Sequence, residues 1–415
     1  MSLELSVFAE PVSRDTRGVT PPPVQSGHWL HVVSHLDPRY GGLSTVVPQL
    51  ASSITDQDAF SVEVAAFCNP DELCAQDDLA LKLSSWPRSR SLWLRNGTLR
   101  TNFRDLVDRV DGLHIHGLWE QSTSVAATAA QMFHKPYVLS AHGMLEPWAL
   151  SKKALKKRMY AALFERANLE RASCLHALTH AEAADYRQFG CRRPIAVIPN
   201  GVTVPEFSNP EMFFKKFPDL RGKRIILFLG RLHSKKGLNL LVDSWSTVAG
   251  KWPEAHIVLA GPDSDGTRIV LERRIAELGI TEHITFAGML RGEQKWSALA
   301  AAQGFVLPSY SEGLSVSVLE AMGMGLPVII SQQCNFPEVE RIHAGWVIQS
   351  KTSHLTSVLN EFLSNSREAN EQIGNVGRKY VLQQYNWTTV ATQMSDLYRW
   401  IQGGGIPQTF DLLEK

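Results

Sequence analysis

The sequence predicts an α/β protein made of two doubly wound domains, each built on a parallel sheet. Three observations predict this fold: the length of the chain, a regular alternation of strands and helices, and a restart of that alternation near residue 223. At 415 residues the chain is about twice the size of a typical single domain, so two domains of comparable length are expected. Apolar residues make up 44% of the chain and charged residues 20%, which excludes a disordered protein.

The first domain is expected over residues 28–205, after a flexible N-terminal arm at residues 1–27. Short apolar runs alternate there with longer amphipathic stretches, which is the pattern of strands joined by helices. The runs are His31 to Leu36, Val62 to Phe67, Gly112 to His116, Tyr137 to Ser140 and Ala196 to Ile198.

The second domain is expected over residues 223–384, after a polar linker at residues 206–222. Its continuous apolar runs suit a parallel sheet that is buried on both faces. They are Arg224 to Gly230, His256 to Gly261, Ile284 to Ala287, Gly304 to Pro308 and Pro327 to Ser331. Residues 385–402 have helical apolar spacing and are expected to return to the first domain, leaving residues 403–415 as a loose tail.

Charge and cysteine content exclude several classes of function. The chain has 42 basic and 41 acidic residues, so it lacks the broad positive field of a nucleic-acid-binding protein. Its five cysteines show no CxxC spacing, which argues against a disulfide framework and against a zinc cluster. No signal peptide or membrane-spanning run is visible, so a cytoplasmic protein is expected.

Each half has a glycine-bearing turn after its first strand, but neither turn is GxGxxG. A dinucleotide-dependent oxidoreductase therefore loses its main support. Gly41 and Gly42 precede a predicted helix over residues 43–54. The N-terminus of this helix would face a cleft between the two domains and allow backbone amides to approach an anion there. A plain turn is the alternative interpretation of these glycines.

The most specific feature is a strand, loop and helix over residues 308–322. Glu312 lies in the loop and Glu320 in the helix, with seven residues between them, and carboxylates are good acceptors for the vicinal hydroxyls of a sugar. Backbone amides at the start of the helix favour an anion, and they belong to Gly313, Leu314, Ser315 and Val316. A helix cap at Glu312 and a solvated Glu320 are the alternative, which the surrounding glycines and prolines disfavour.

Two histidines follow predicted strands of the first domain. His116 ends the run Leu113 to Ile115, and His142 ends the run Tyr137 to Ala141 and precedes Gly143. Both are expected to face the cleft and to contact a sugar or an acceptor, since ligands bind at the carboxyl ends of parallel strands. A packed, hydrogen-bonded histidine is the alternative at each position.

The Glu-x7-Glu segment resembles the signature of retaining glycosyltransferase family 4. Further short matches lie in the order expected for this family, over roughly residues 28–400. They are Gly41-Gly42, His116-Gly117, Ser140-Ala141-His142-Gly143, Pro199-Asn200-Gly201-Val202, Gly230-Arg231-Leu232, Lys236-Gly237 and Gly261. The resemblance implies the GT-B fold, in which two Rossmann-like domains face each other across a cleft.

The resemblance also implies an activity and residue roles. It implies the transfer of a sugar, with retention of anomeric configuration, from a UDP- or GDP-sugar to a glycan or lipid-linked acceptor. Arg231 and Lys236 resemble the basic pair that holds the donor diphosphate, although Lys235 is an alternative to Lys236. Glu320 corresponds to the carboxylate on the ribose, Glu312 to the one on the transferred sugar, and His142 to the histidine near the reacting sugar, where it would donate a hydrogen bond to a hydroxyl or to the departing oxygen.

The chemistry of these residue types agrees with that assignment. A guanidinium and an ammonium can stabilise the negative charge of a departing diphosphate where another enzyme uses a metal ion. No DxD motif is found in a suitable context, so no metal and no other cofactor are expected. Base contacts are expected around Gly261 and Leu290.

Two other kinds of protein are weighed against a transferase. A nucleotide-sugar epimerase or a phosphorylase uses similar paired domains, but no lysine motif for a pyridoxal cofactor is present. A scaffold that binds nucleotide without turnover is disfavoured because Arg231, Lys236, Glu312, Glu320 and His142 occur together. Release of nucleoside diphosphate only in the presence of acceptor would separate a transferase from these.

A basic segment in the first domain indicates a second kind of contact. Its cations are Lys152, Lys153, Lys156, Lys157 and Arg158, followed by apolar residues. On a helix such a face suits anionic lipid, and would place the protein peripherally at the inner face of a membrane. A run of charges is also typical of a solvated helix face, so both interpretations stay open here.

Overall fold

The computed structural model describes residues 27–36, 42–68, 81–85, 97–263 and 265–414. Over these residues the chain forms two α/β domains, each with one sheet between layers of helices. The expected N-terminal arm lies outside the described residues, except for Gly27, which begins the first strand.

The sheet of the first domain has eight strands in the order β14-β7-β6-β5-β4-β1-β2-β3. All neighbours are parallel except β14, which pairs antiparallel with β7. The strands are β1 (Gly27–Val33), β2 (Phe60–Ala66), β3 (Lys82–Ser85), β4 (Gly112–His116), β5 (Tyr137–Ser140), β6 (Cys174–Ala177), β7 (Ile195–Val197) and β14 (Asp411–Leu413).

Helices cover both faces of this sheet, which buries β4, β5 and β6 completely. The helices are α1 (Leu43–Thr55), α2 (Gly97–Asp108), α3 (Gln121–Met132), α4 (Pro147–Ser151), α5 (Ala154–Tyr160), α6 (Arg166–Arg171) and α7 (His180–Phe189). A π-helical turn at Ala161–Glu165 joins α5 to α6, so these form one continuous helix.

The sheet of the second domain has six parallel strands in the order β10-β9-β8-β11-β12-β13. The strands are β8 (Arg224–Leu229), β9 (Ala255–Ala260), β10 (Ile284–Gly288), β11 (Gly304–Leu307), β12 (Val328–Ser331) and β13 (Gly345–Ile348). Its helices are α8 (Glu211–Lys216), α9 (Leu238–Ser246), α10 (Thr267–Glu277), α11 (Glu293–Ala301), α12 (Val316–Gly323), α13 (Glu338–Arg341), α14 (Thr352–Ser364) and α15 (Arg367–Gln384). One further helix, α16 (Trp387–Ile401), follows them.

Strand order in each sheet reverses beside its first strand. In the first sheet β1 lies between β2 and β4, and in the second β8 lies between β9 and β11. Ligands of doubly wound sheets bind beyond the carboxyl ends of the strands at this point, because the connections there diverge and leave a crevice. The topology therefore predicts a ligand site at the loops after β4, β5, β8 and β11.

The last helix, α16, returns to the first domain and packs on α1 and β1. The ring of Tyr398 stacks on Trp29 with centroids 3.7 Å apart and planes within 6° of parallel. The chain crosses between the domains twice at one place, where the amide of Val202 donates to the carbonyl of Tyr385 at 2.7 Å. The first domain is thus completed by a segment that follows the second.

Two expectations about the connecting segments are wrong. The predicted linker at residues 206–222 contains α8, whose Phe213 is buried in the core of the second domain and donates its amide hydrogen to Ser297 Oγ at 2.9 Å. The predicted loose tail at residues 403–415 contains β14, which extends the first sheet beside β7. Apolar side chains at both places, Phe213 in α8 and Leu412 in β14, are drawn to existing cores.

Candidate active site

The two domains meet where the loop after β5 faces the loop after β11. A Cβ atom placed on Gly143 would lie 3.2 Å from the amide nitrogen of Gly313, so the backbones approach closely. Beside this contact the hydroxyl of Ser311 donates to Glu146 Oε2 across the domain boundary. His142 and Glu312, which were predicted in different domains, therefore lie on opposite sides of one boundary between the domains. We call this boundary the cleft.

Lys236 and Glu312 form an ion pair on the wall of the second domain. Lys236 Nζ donates to Glu312 Oε1 at 2.6 Å, and the hydroxyl of Ser309 donates to the same oxygen at 2.6 Å. Burial alone would raise the pKa of the Glu312 carboxyl, but the ammonium groups of Lys236 and Lys235 outweigh it and hold the pKa below its ordinary value. Glu312 is therefore ionised.

A close backbone contact fixes the turn that carries Lys236. This lysine ends a 3-10 turn at Ser234–Lys236, and Gly237 follows it with φ of 68°. A Cβ atom on Gly237 would lie 2.0 Å from the carbonyl oxygen of Pro308, so only glycine fits. The turn after β8 is thereby held against the loop that carries Glu312.

Glu320 forms a second ion pair, with a partner that the sequence did not indicate. Lys295 Nζ, on α11, donates to Glu320 Oε1 at 2.6 Å. The N-cap residue of α12, Ser315, accepts no hydrogen bond from a backbone amide of that helix, and its hydroxyl lies 3.1 Å from the hydroxyl of Ser317. α12 begins at Val316, so Gly313, Leu314 and Ser315 precede the helix and only the amide of Val316 belongs to its first turn. The anion site at these four residues stays a prediction.

The other donor residues predicted in the second domain lie around the ends of β8, β9 and β10. Arg231 follows β8 and its side chain is exposed. Gly261 follows β9 with φ of 149°, and a Cβ atom there would lie 1.8 Å from the carbonyl oxygen of Gly230, so only glycine lets these two loops touch. Leu290 is buried and follows β10.

In the first domain, Gly42 is the N-cap residue of α1 and faces open space, and Gly41 lies outside the described residues.

An unusual turn presents His142 at the cleft. His142 has φ of 51° and Gly143 has φ of 75°, and the left-handed region is uncommon for a non-glycine residue. Two buried groups hold the turn: Glu182 Oε1 accepts from the amide of Gly143 and the hydroxyl of Tyr186 accepts from the amide of Ala141, both at 2.7 Å. Such strain persists only where neighbours impose it, and it is concentrated at functional sites.

The expectation that His116 faces the cleft is wrong. Its ring is only 2% exposed, and its two nitrogens lie 3.0 Å from His142 Nε2 and 3.2 Å from His31 Nδ1. The side chain of this last residue of β4 points into the domain, where it stacks on the ring of His114. His116 therefore contacts His142 rather than a ligand.

Sequence reasoning missed three charged residues around this cleft: Glu146, Glu182 and Lys295. Glu146 is the most informative, because burial raises its pKa to about 8, with Lys235 acting in the opposite direction and Glu312 adding to the rise. This carboxyl is mostly protonated at neutral pH, and its buried Oε1 atom has no hydrogen-bond partner among the residues that the structure describes. The only sequence signal was proximity, since Glu146 stands four residues after His142.

Comparison with known proteins identifies the family. Residues 41–201 match a model described as glycosyl transferase 4-like domain, and residues 210–380 match one described as glycosyl transferases group 1. The two matched segments correspond to the two domains of the structure and include His142, Arg231, Lys236, Glu312 and Glu320.

Two similar proteins illustrate the relatives of this chain. A GDP-mannose-dependent monoacylated alpha-(1-6)-phosphatidylinositol monomannoside mannosyltransferase of Corynebacterium glutamicum is 25% identical over 395 residues, which cover 89% of this chain and 97% of that protein. A GDP-mannose:cellobiosyl-diphosphopolyprenol alpha-mannosyltransferase of Xanthomonas campestris is 24% identical over 73% of this chain and 78% of its own length.

Solved structures show the same fold. The Anabaena HepE structure in complex with UDP and glucose superimposes with a TM-score of 0.74 at 18% identity, covering 90% of this chain and all of that one. A sucrose-phosphate synthase from Thermosynechococcus elongatus gives a TM-score of 0.74 at 21% identity, over 91% of this chain and 99% of its own. With two parallel-sheet domains, a shared cleft and both family matches, the chain belongs to glycosyltransferase family 4 and is a hexosyltransferase with the GT-B fold.

Proposed function

We propose that this enzyme transfers a hexose, with mannose from GDP-mannose as the leading case, to a lipid-linked acceptor with retention of anomeric configuration. One observation carries the proposal. The second domain carries the ion pairs of Lys236 with Glu312 and of Lys295 with Glu320, and the loop of Glu312 packs against the turn of His142 across the cleft. Cations for a diphosphate and carboxylates for sugar hydroxyls are thus available at one place.

In this proposal Lys236 exchanges partners when the donor binds. Without donor its ammonium neutralises Glu312, and with donor it serves the diphosphate while Glu312 accepts hydrogen bonds from the transferred sugar. Arg231 follows the same strand as Lys236, β8, and adds a second positive charge. These fixed charges stabilise the departing nucleoside diphosphate, so the transfer needs no metal ion.

Retention is proposed to proceed by attack on the face from which the diphosphate leaves. A double displacement needs an ionised carboxylate beside the anomeric carbon. Glu146 is mostly protonated at neutral pH, because its pKa is about 8. Glu312 is proposed to accept hydrogen bonds from the hydroxyls of the transferred sugar once the donor is bound, so it is not placed to attack the anomeric carbon. A phosphate oxygen of the leaving group therefore takes the proton of the acceptor hydroxyl as the new bond forms and the old one breaks.

The proposed acceptor is lipid-linked because the helix beside the cleft has the character of a membrane-contact surface. Around the start of this helix, α5, the exposed cations are Lys152, Lys153, Lys156 and Arg158, and in the same segment Leu155, Met159 and Leu163 are 74%, 60% and 67% exposed. We call these seven residues the basic-apolar surface. Cations around exposed apolar side chains suit an anionic bilayer. No helix in the described part of the chain is long and apolar enough to cross a membrane.

Lys157 was expected to belong to this surface but turns inward. Its ammonium donates to the carbonyl of Ala149 at 2.6 Å and lies 5.3 Å from the ring centre of Trp119. Burial lowers the pKa of this lysine. Lys157 therefore supports the packing of the helix and is left out of the proposed lipid contact.

A cavity beneath the basic-apolar surface offers a path for the acceptor. It has a volume of about 700 Å³ and is lined mainly by apolar groups, including Trp119, Leu145, Pro147, Leu150, Ala161 and Phe189. Leu145 and Pro147 flank Glu146, so the cavity adjoins the cleft. A mostly apolar cavity of this size suits the part of an acceptor nearest its lipid.

Replacement of Glu320 is expected to weaken donor binding. In the Glu320→Ala variant the ribose loses its proposed acceptor and Lys295 loses its partner, so the Kd for GDP should rise about tenfold, the effect of one charge-assisted hydrogen bond. Calorimetric titration with GDP measures this change. The Glu272→Ala variant, which removes an exposed carboxylate paired with Arg268, is the control and should bind GDP normally. Unchanged affinity in Glu320→Ala would contradict the assignment.

Neutralising the basic-apolar surface is expected to abolish binding to anionic vesicles. Each exposed cation near an anionic bilayer contributes about 1 kcal/mol, so replacing Lys152, Lys153, Lys156 and Arg158 by Gln should lower the partition coefficient at least a hundredfold. Sedimentation with vesicles of phosphatidylglycerol and phosphatidylcholine measures the loss. Wild-type binding should also fall in moderate salt. Equal sedimentation with neutral and anionic vesicles would remove the lipid contact from the proposal.

The proposed reaction itself is tested with GDP-mannose and a polyprenyl-diphosphate disaccharide in the presence of EDTA. We expect GDP to be released only when this acceptor is added, and the new linkage to be α by NMR. Comparison with UDP-glucose tests the base and sugar. GDP release without acceptor would favour a hydrolase, conversion of the nucleotide-sugar itself would favour an epimerase, and a β linkage would exclude retention.

A further inference from the structure

A continuous line of seven hydrogen bonds joins His142 to a backbone carbonyl deep in the first domain. From the cleft inward the successive distances are 3.0, 3.2, 2.8, 2.8, 2.6, 2.7 and 2.7 Å. The groups in order are His142, His116, His31, Tyr398, His114, Ser140, His176 and the carbonyl oxygen of Ile198. We call this line the histidine chain.

Every ring in the histidine chain is neutral at neutral pH. Burial lowers the pKa of His31 and of His142 to about 3 and that of His176 to about 4. The pKa values of His114 and His116 are also lowered, by burial and then by the neighbouring imidazoles. A neutral imidazole has one N–H donor and one acceptor nitrogen, so each ring inside the chain donates on one side and accepts on the other.

The inner end of the chain decides the direction of every hydrogen bond. The carbonyl oxygen of Ile198 can only accept, so His176 Nε2 carries its proton and donates to it at 2.7 Å. His176 Nδ1 must then accept from the hydroxyl of Ser140.

The same assignment of one donor and one acceptor to each group applies to the rest of the histidine chain, from Ser140 to the cleft. Ser140 accepts from His114 Nε2, and His114 Nδ1 accepts from the hydroxyl of Tyr398. Tyr398 accepts from His31 Nε2, which leaves His31 Nδ1 to accept from His116 Nε2. His116 Nδ1 is then an acceptor, and its donor is His142 Nε2.

We propose that the histidine chain fixes His142 as the Nε2–H tautomer, that His142 Nδ1 serves the donor sugar as a hydrogen-bond acceptor, and that Tyr398 is a positioning residue for this state. Among the hydrogen bonds of the described residues, none occupies His142 Nδ1. The role for the sugar rests on the function proposed above. It replaces the expectation that His142 donates a hydrogen bond, because the ring's single proton is committed to His116.

The histidine chain orients His142 but does not carry its proton away. A proton relay needs a group at its far end that can take up a proton, and the carbonyl of Ile198 cannot. Nor is the cluster built for a metal ion. His31, His114 and His116 have one nitrogen each within 4.8 Å of one another, but all six of their nitrogens are already engaged in the chain.

Tyr398 is the link that the returning helix supplies. It lies on α16, and its hydroxyl is 2.8 Å from both His31 Nε2 and His114 Nδ1. Its ring is stacked on Trp29, so removal of the hydroxyl alone leaves the ring packing in place. A Tyr398→Phe variant therefore cuts the chain without removing the helix contact.

Nitrogen-15 NMR of histidine-labelled protein tests the proposal, with His142→Gln used to assign the resonance. In the wild type we expect one tautomer of His142, protonated at Nε2. In Tyr398→Phe we expect a mixture of tautomers and a kcat lower by about tenfold, with unchanged affinity for GDP, since the donor diphosphate is bound elsewhere. Tyr137→Phe removes a buried hydroxyl that donates to Asn168 in the same domain, and should leave the His142 resonance and kcat unchanged.

A second variant guards against failure of the first to fold. Ser140→Ala cuts the chain between His114 and His176 and should give the same mixture of tautomers. Protonation of wild-type His142 at Nδ1, or a single tautomer in both cut variants, would overturn the proposal. The NMR result does not depend on turnover, so an enzyme inactive with GDP-mannose would refute the proposed donor while leaving this test decisive.

Discussion

The Lys236→Met variant is expected to lose transfer activity by about 10²- to 10³-fold, the usual cost of removing a group that stabilises developing negative charge. The ammonium of Lys236 is the only cation that donates to Glu312 among the described residues, and it lies on the turn after β8 where the diphosphate is proposed to bind. The variant also leaves a buried carboxylate without its partner, so we expect the melting temperature to fall. Initial rates with GDP-mannose and a thermal melt measure both effects.

The neighbouring lysine provides the matched control for this prediction. Lys235 Nζ lies 4.0 Å from Glu146 and 5.5 Å from the ring centre of Trp148, so it faces the first domain rather than Glu312. Lys235→Met should therefore cost much less activity than Lys236→Met, and Lys215→Met, at an exposed site on α8, should cost none. A larger loss in Lys235→Met would reassign the diphosphate contact to that residue.

The Glu312→Ala variant is expected to lower kcat by about a hundredfold or more while changing the affinity for GDP less than about threefold. Glu312 is proposed to hold the transferred sugar, which GDP lacks, so its loss acts on the reacting state. The backbone of Glu312 is anchored independently of its side chain. Its amide donates to Gln333 O at 3.0 Å, and its carbonyl accepts from Asn335 Nδ2 at 2.6 Å.

Kinetics and calorimetric binding of GDP together check this prediction. Glu312→Gln is the matched variant: it keeps the shape of the side chain but removes its charge, so it should lose less activity than Glu312→Ala. If Glu312→Ala binds GDP much more weakly than the wild type and turns over normally at saturation, then Glu312 contacts the nucleotide and not the sugar.

Most of the fold was predictable because its strands are buried on both faces. β8, β9 and β12 are continuous apolar segments, and such segments stand out in a sequence. The strands that escaped prediction lack this signal. β3 reads Lys-Leu-Ser-Ser and β6 includes a polar His176, while β13 and β14 are only four and three residues long. β1 begins at Gly27, before the predicted apolar run that starts at His31, because Gly27, His28 and Trp29 do not form a continuous apolar segment.

The candidate site was predictable where a motif spans few residues. It was unpredictable where residues that are far apart in the sequence come into contact. The spacing of Glu312 and Glu320 is local, so the sequence reveals it directly. The contact of Glu146 with Ser311 joins residues 165 positions apart, and the pairing of Lys295 with Glu320 depends on how α11 packs beside α12. His116 was misjudged because its place at the end of β4 was readable, whereas the inward direction of its side chain was not.

The most direct test of the account is the melting temperature of the wild type and of Lys236→Met with GDP, UDP, ADP and GDP-mannose. A ligand at a hundred times its Kd stabilises the folded state by about 2.7 kcal/mol, which a thermal melt detects easily. We predict that GDP and GDP-mannose raise the melting temperature of the wild type more than UDP or ADP, and that Lys236→Met loses most of this rise. Equal stabilisation of both proteins by GDP, or none of either, would contradict the proposal that the cleft beside Lys236 binds an activated sugar.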